Sequence, residues 1–275
     1  MMRGIGILAL MALMAMPAFG GVPGPYTATP SALGSWSVTG RDWGDPIKWN
    51  QMDGIDTYGA HSTIDYDTPM TSTTADDFLC SFAGPVNDIH FAGWSYFGNT
   101  YITGFRISFW SDVAETPQDE SHPGSQLYTY DVTTLLPPTP TPGASGWRDN
   151  LDGTFTINLP QDHWFYQEGT PGNPIRYWLS IQGIMVTDGY WDAFYWNFRD
   201  RNIATWGDDA AFESAYFGYA PWANWGVDGT GAVALYDGAF PAGWQHSLDM
   251  AFALSPEPAS LLLLGLGALA LRRRQ

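Results

Sequence analysis

Apolar and polar side chains alternate at period two along several short stretches of the chain. Phe105, Ile107 and Phe109 fall on one side of such a stretch, with Arg106 and Ser108 on the other. Phe155, Ile157 and Leu159 alternate with Thr154, Thr156 and Asn158. Tyr177, Leu179 and Ile181 alternate with Arg176, Ser180 and Gln182, although Trp178 interrupts the polar side. Leu248, Met250, Phe252 and Leu254 alternate with Ser247 and Asp249. An extended chain sends successive side chains to opposite faces, so each stretch predicts a half-buried β-strand. Further strands are predicted at 77–82, 86–94, 126–132, 193–199 and 232–236. Between residues 21 and 255 no stretch keeps a helical period beyond two turns.

Turn-forming clusters separate these strands at Gly84-Pro85, Pro123-Gly124, Pro171-Gly172-Asn173-Pro174 and Asp228-Gly229. The expected class is therefore all-β. Eight to ten strands fit an antiparallel β-sandwich, with a jelly roll as one arrangement of it. The proline-rich stretch 137–142 cannot pair inside a sheet and reads as a long loop between strands of one sandwich. It is also stiff enough to separate two subdomains.

The two ends of the chain follow different physics. Residues 1–20 carry one early cation, Arg3, then an apolar stretch, then Pro17-Ala18-Phe19-Gly20. Small residues at Ala18 and Gly20 predict a signal peptide cleaved after Gly20. At the other end, Pro256-Glu257-Pro258 is incompatible with a helix, because proline fixes φ and biases the residue before it. A run of thirteen residues, apolar except for Ser260, follows from Ala259 to Leu271, closed by Arg272, Arg273 and Arg274. Thirteen helical residues rise about 20 Å against a hydrocarbon core of about 30 Å. Snorkelling arginines and local thinning of the bilayer make up the difference, so the run predicts a short C-terminal transmembrane helix.

This tripartite order resembles the PEP-CTERM sorting signal, with Pro256, Glu257, Pro258, Arg272, Arg273 and Arg274 in the positions of the motif. The resemblance implies an exosortase-type peptidase and the secretion machinery as partners. It also implies a place in the cell envelope or extracellular matrix, reached through transient or stable membrane anchoring. The expected organisation is a signal peptide at 1–20, an exported domain at 21–255 and a sorting signal at 256–275.

Charge narrows the choice of partners. Setting aside Arg3 and the three terminal arginines leaves 7 of 11 basic residues in the body; setting aside Glu257 leaves 27 of 28 acidic ones. A net charge of −20 disfavours nucleic acid and anionic lipid. Cys80 is the single cysteine, so export brings no intramolecular disulfide. Between Leu79 and Ser81 it reads as a small buried hydrophobe.

Candidate chemistry is sparse. Asp53, Asp56, Asp65 and Asp67 supply oxygen ligands for Ca²⁺ if loops gather them, although their spacing matches no EF-hand. Otherwise they sit in solvated turns, and no other cofactor is expected. The five histidines are scattered and form no zinc-binding motif. No nucleophile elbow, P-loop or dinucleotide fingerprint occurs, so no enzyme activity is expected. A secreted glycan hydrolase would need two carboxylates about 5–10 Å apart across a cleft. Among the fourteen tryptophans, Trp191, Trp196, Trp206, Trp222 and Trp225 are candidates for stacking on sugar rings. The competing expectation is that they fill a core short of long aliphatics.

Several segments also look like an uncharacterised domain of exported bacterial proteins that carry the same tail. They include Ala75-Asp76-Asp77-Phe78-Leu79-Cys80, Gly84-Pro85-Val86-Asn87-Asp88-Ile89-His90-Phe91 and Trp206-Gly207-Asp208-Asp209-Ala210. That resemblance supplies no activity. The expected role is a structural or adhesive component of the envelope or exopolysaccharide matrix, with a carbohydrate-binding module as the alternative.

Overall fold

The computed structural model describes residues 48–52, 54–95, 97–116, 121–137, 139, 143–187, 192–199, 210–216, 219–224 and 249–255. Strands dominate. They begin with β1 (Trp49–Asn50), β2 (Ile55–His61), β3 (Thr63–Asp65), β4 (Thr71–Cys80), β5 (Gly84–Val86), β6 (Asp88–Ser95), β7 (Ile102–Val113) and β8 (His122–Val132). They continue with β9 (Gly146–Asp149), β10 (Thr154–Asn158), β11 (Phe165–Gln167), β12 (Ile175–Met185), β13 (Phe194–Arg199), β14 (Ala211–Ser214), β15 (Tyr219–Asn224) and β16 (Phe252–Ser255). The helical elements described are single 3₁₀ turns at Asn99–Tyr101 and Gln161–His163.

One seven-stranded sheet runs β1-β16-β6-β10-β9, with β13 joined to both β6 and β2. A second runs β15-β14-β4-β3-β12-β7-β8, and a two-stranded ribbon pairs β5 with β11. Among the named strands the expected antiparallel order is modified at one place: β3 runs parallel to β12, with Ile64 opposite Ile184. The physical reason is local. The strand passes from β2 in the first sheet straight into β3 in the second, so β3 enters beside β12 in the same direction.

The two sheets face each other across an aromatic core. Phe105 on β7 meets Phe91 on β6 at 5.0 Å between ring centroids, Phe155 on β10 at 5.1 Å and Phe194 on β13 at 5.3 Å. Phe78 on β4 meets Phe252 on β16 at 6.2 Å. The rings lie mostly edge to face, which suits their quadrupoles and adds about 0.5–1.5 kcal/mol per pair beyond area burial. Phenylalanine does here what long aliphatics do elsewhere. Close approach of backbone to this core requires glycine at Gly183, where a Cβ would sit 2.3 Å from the Cβ of Phe194.

The alternating stretches become β7, β10, β12 and β16, and their apolar sides point inward. Phe105, Ile107, Phe109, Phe155, Ile157, Leu179 and Ile181 are all fully buried. Two expectations are revised. The polar sides are not open to water, since Ser108, Thr154, Thr156, Ser180 and Gln182 are buried as well. Hydrogen bonds make this tolerable: Ser108 Oγ donates to Thr129 Oγ1 at 3.0 Å, and Gln182 Nε2 donates to the Ser72 carbonyl at 2.7 Å. The last strand also begins later than the alternation suggests. Met250 makes an isolated bridge to Phe198, and regular pairing starts at Phe252.

The proline-rich stretch leaves and re-enters the fold at one spot. Leu136 N donates to Trp147 O at 2.7 Å, and Trp147 N donates to Thr134 O at 2.8 Å. Val132 before it and Trp147 after it lie in the same core. No helix among the described residues is long and apolar enough to cross a membrane. The stretch 1–20, the predicted strand at 232–236 and the tail 256–275 lie outside the described residues.

Candidate functional site

The second sheet carries an open groove on the side away from the core. The strand register builds it. Gln182 on β12 pairs with Arg106 on β7, which pairs in turn with Asp131 on β8. One step along, Ser180 lies opposite Ser108, and Ser108 opposite Thr129. A further step puts Trp178 opposite Trp110. Since side chains repeat every second residue, all of these project to the same face. Thr71 and Thr73 of β4 and Gln126 of β8 complete a groove of ≈ 720 Å³. That volume lies within the range of small-ligand sites.

Each principal group in the groove is held in place. Arg106 donates from Nε to Asp131 Oδ1 at 2.7 Å and from Nη2 to Asp131 Oδ2 at 2.8 Å. Those hydrogen bonds, with the Asp131 charge, raise the guanidinium above its ordinary value, and partial burial opposes them. The pair is about one-third exposed, so its value lies more in orientation than in stability. Trp110 Nε1 donates to Ser180 Oγ at 3.0 Å. Its ring meets Trp222 edge to face at 5.3 Å and 80°. Below them Ala75, Trp178 and Ala211 form a small buried cluster, so the half-buried indoles rest on a packed floor. Gln126 Nε2 donates to Ser108 Oγ at 3.2 Å. At the margin, Glu213 lies opposite Thr73, and burial raises its carboxyl above the ordinary range.

The expected stacking residues are divided by the structure. Trp196 is fully buried in the core, where its Nε1 donates to Ala251 O at 3.1 Å, and it is unavailable to a sugar without opening the fold. Trp222 lies beside the groove. Trp191, Trp206 and Trp225 fall outside the described residues.

The calcium candidates are also divided. Asp65 Oδ1 accepts from Asp67 N at 2.9 Å, and its Oδ2 accepts from Thr68 Oγ1 at 2.5 Å and Thr187 Oγ1 at 3.2 Å. Asp67 Oδ2 accepts from Thr187 N at 2.8 Å. These carboxylates close the β3–β4 hairpin and tie it to the end of β12. Asp56 falls on β2, and Asp53 lies outside the described residues. Among the described residues no group of three or more His, Cys, Asp or Glu is placed to hold a metal ion.

A second set of carboxyls lies inside the fold. Asp76, Asp77 and Asp249 are each at most 3% exposed. Burial first, then the charges of Asp249 and Asp77, raise Asp76 well above the usual carboxyl range. Asp249 faces Arg199 at 3.7 Å, and Asp77 faces Arg176 at 3.2 Å. Asp77 and Asp249 each face an arginine, Asp76 is held by hydrogen bonds, and none of the three lines the groove.

Sequence reasoning missed Arg106, Asp131, Trp110, Gln126 and Gln182 as a set. The alternation that places Arg106 and Ser108 on the polar side of β7 continues to Trp110 and was the available signal. The partnership of β7 with β8 and β12 was not available.

Residues 47–255 match the family described as Domain of unknown function (DUF7901), and residues 256–275 match the PEP-CTERM protein-sorting motif. No curated protein and no solved structure matches the chain.

Proposed function

We propose, for a chain that belongs to the DUF7901 family and ends in a PEP-CTERM protein-sorting motif, a structural or adhesive role at the cell surface or in its exopolysaccharide matrix. The motif implies an exported, envelope-associated protein sorted by exosortase. The observation that carries the finer reading is where the folded body stops. β16 pairs with β1 on one side and with β6 on the other, and its last residue, Ser255, directly precedes the motif. Met250, Phe252 and Leu254 are fully buried, so the body is folded up to the sorting signal with no spacer. A domain delivered in that way sits against the envelope, which suits a surface component better than a long-reach binder.

The test has two arms. Replacing Pro256-Glu257-Pro258 by alanines should leave an uncut, membrane-retained form, because the sorting motif would lose its Pro-Glu-Pro segment. Deleting the protein should weaken cell attachment or matrix retention in the producing strain. Wild-type maturation of the alanine variant would remove the sorting step. Unchanged attachment and matrix retention in the deletion strain would remove the structural role.

A further inference from the structure

We propose that the groove over β7, β8 and β12 is a binding site for an uncharged polysaccharide. Its chemistry points there in three ways. First, its polar groups are amides, hydroxyls and one guanidinium–carboxylate pair, Arg106 with Asp131, which together present donors and acceptors side by side. Arg106 lines the groove and spends Nε and Nη2 on Asp131, so its guanidinium is held as a fixed fork with donors to spare. Gln182 and Gln126 are anchored through their Nε2 atoms, so their Oε1 acceptors are held in set positions. A sugar hydroxyl both donates and accepts, and it satisfies such a mixed lining.

Second, the groove has an aromatic wall. Trp110 is fixed by its hydrogen bond to Ser180 and by its perpendicular contact with Trp222, so its ring is oriented before any ligand arrives. Pre-set rings and forks reduce the ordering cost of binding. Sugars carry apolar C–H faces that pack on such rings, and tryptophan is the side chain with the largest flat area to offer.

Third, charge selects the class. The Arg106 cation is matched by Asp131 within hydrogen-bonding distance, so the lining has no surplus positive charge. Glu213 at the margin adds no cation. The whole chain carries a net charge of −17, which repels uronate-rich or sulfated chains. An uncharged glycan meets none of this repulsion. The open shape of the groove, lined from four strands, suits an internal segment of a chain better than a buried chain end.

This assignment takes from the surface role only the place where the glycan is met; binding itself is read from the groove. The experiment is affinity electrophoresis and titration calorimetry of the full chain in mild non-ionic detergent. The probes are soluble β-glucan, xyloglucan, mannan and dextran, with polygalacturonate as the charged comparison. Retardation by at least one uncharged polymer is expected, and it should persist in 0.5 M NaCl because it does not depend on charge. Trp110→Ala and, separately, Gln126→Ala should each weaken it, the former by about tenfold or more. Tyr166→Ser, which removes an exposed ring on β11 outside the groove, should leave it unchanged. Thermal melting of each variant identifies any that fail to fold, and Gln126→Ala serves if Trp110→Ala does. Three results would overturn the proposal: no retardation by any uncharged polymer, binding of polygalacturonate that salt abolishes, or equal loss in Tyr166→Ser. None of these results depends on sorting, so the surface role and the ligand fail independently.

Discussion

Asp76 Oδ2 accepts the backbone N–H of Met250 at 2.8 Å, so one carboxyl on β4 holds the chain as it enters the last strand of the opposite sheet. The same atom accepts Gln51 Nε2 at 2.8 Å, and Oδ1 accepts Asp77 N at 3.0 Å. Asp76→Ala would take this acceptor from the Met250 and Asp77 N–H groups and leave Gln51 Nε2 with only the Met250 carbonyl at 3.3 Å. A buried polar group left without a partner costs about 1–3 kcal/mol. The variant should therefore lose about 3 kcal/mol or more in urea unfolding, with the slope unchanged. An unaltered midpoint would show that this bridge does not hold β16.

Acid should destabilise the protein through His61. Burial pushes this imidazole from 6.5 down to about 4. A base whose folded pKa is depressed favours the unfolded state as pH falls, because the unfolded chain takes up the proton first. Stability from this group is complete above pH 6.5 and is lost as pH falls toward 4, on the order of 3 kcal/mol in all. Asp76 acts in the opposite sense, since its raised folded pKa costs stability as pH rises from the usual carboxyl range through that folded value. Urea midpoints of wild type and His61→Gln between pH 4 and 7 should converge toward the acid end. Parallel profiles would rule His61 out as the source of the acid limb.

Cys80 should be replaceable and slow to react. Its Sγ lies 3.0 Å from Gln167 Oε1 and 3.2 Å from Phe82 O, both within reach of its one S–H, and burial raises the thiol above its ordinary value. The thiolate is the reactive form, so iodoacetamide should label the native protein far more slowly than the urea-unfolded chain. Cys80→Ala should cost about 1 kcal/mol. Native labelling at the unfolded rate would contradict the burial described.

Gly183 should tolerate no side chain. A Cβ there would lie 2.3 Å from Phe194 Cβ and 2.7 Å from its Cγ, in a core without slack. Overpacking of this kind costs about 1–3 kcal/mol and more when the backbone must move. Gly183→Ala should lower the unfolding midpoint accordingly, and adding Phe194→Ala should recover little, because alanine keeps the Cβ that makes the closest contact while removal of the ring empties the core. Full stability in Gly183→Ala would mean that the sheets are further apart than described.

The fold was readable where one face of a strand is apolar and the other polar. Phe105, Ile107 and Phe109 announce β7, and Phe155, Ile157 and Leu159 announce β10. Other strands gave no such signal. β2 reads Ile-Asp-Thr-Tyr-Gly-Ala-His, with no alternation, and β9 is four residues long. Burial of both faces was hidden too, because Ser180 and Gln182 look like solvent-facing residues until the strands beside them are known. The groove is the extreme case. Arg106 and Asp131 are 25 residues apart, and only the β7–β8 register brings them into a bidentate pair. Local pattern reports which way a side chain points; it does not report whom it meets.

The placement of β16 has a mechanical consequence. This strand lies between β1 and β6, antiparallel to both, and Ser255 is its exit. Tension applied at Ser255 along the strand runs at right angles to the hydrogen bonds on its two flanks, since antiparallel bonds lie across the strands. Such a load shears all of those bonds together instead of peeling them one after another. The rings of Phe252 and Phe78, in contact across the core, must slide past each other in the same event. A body pulled at that point resists as a clamped tongue does, and its lifetime under load is set by how rarely the whole strand gives way.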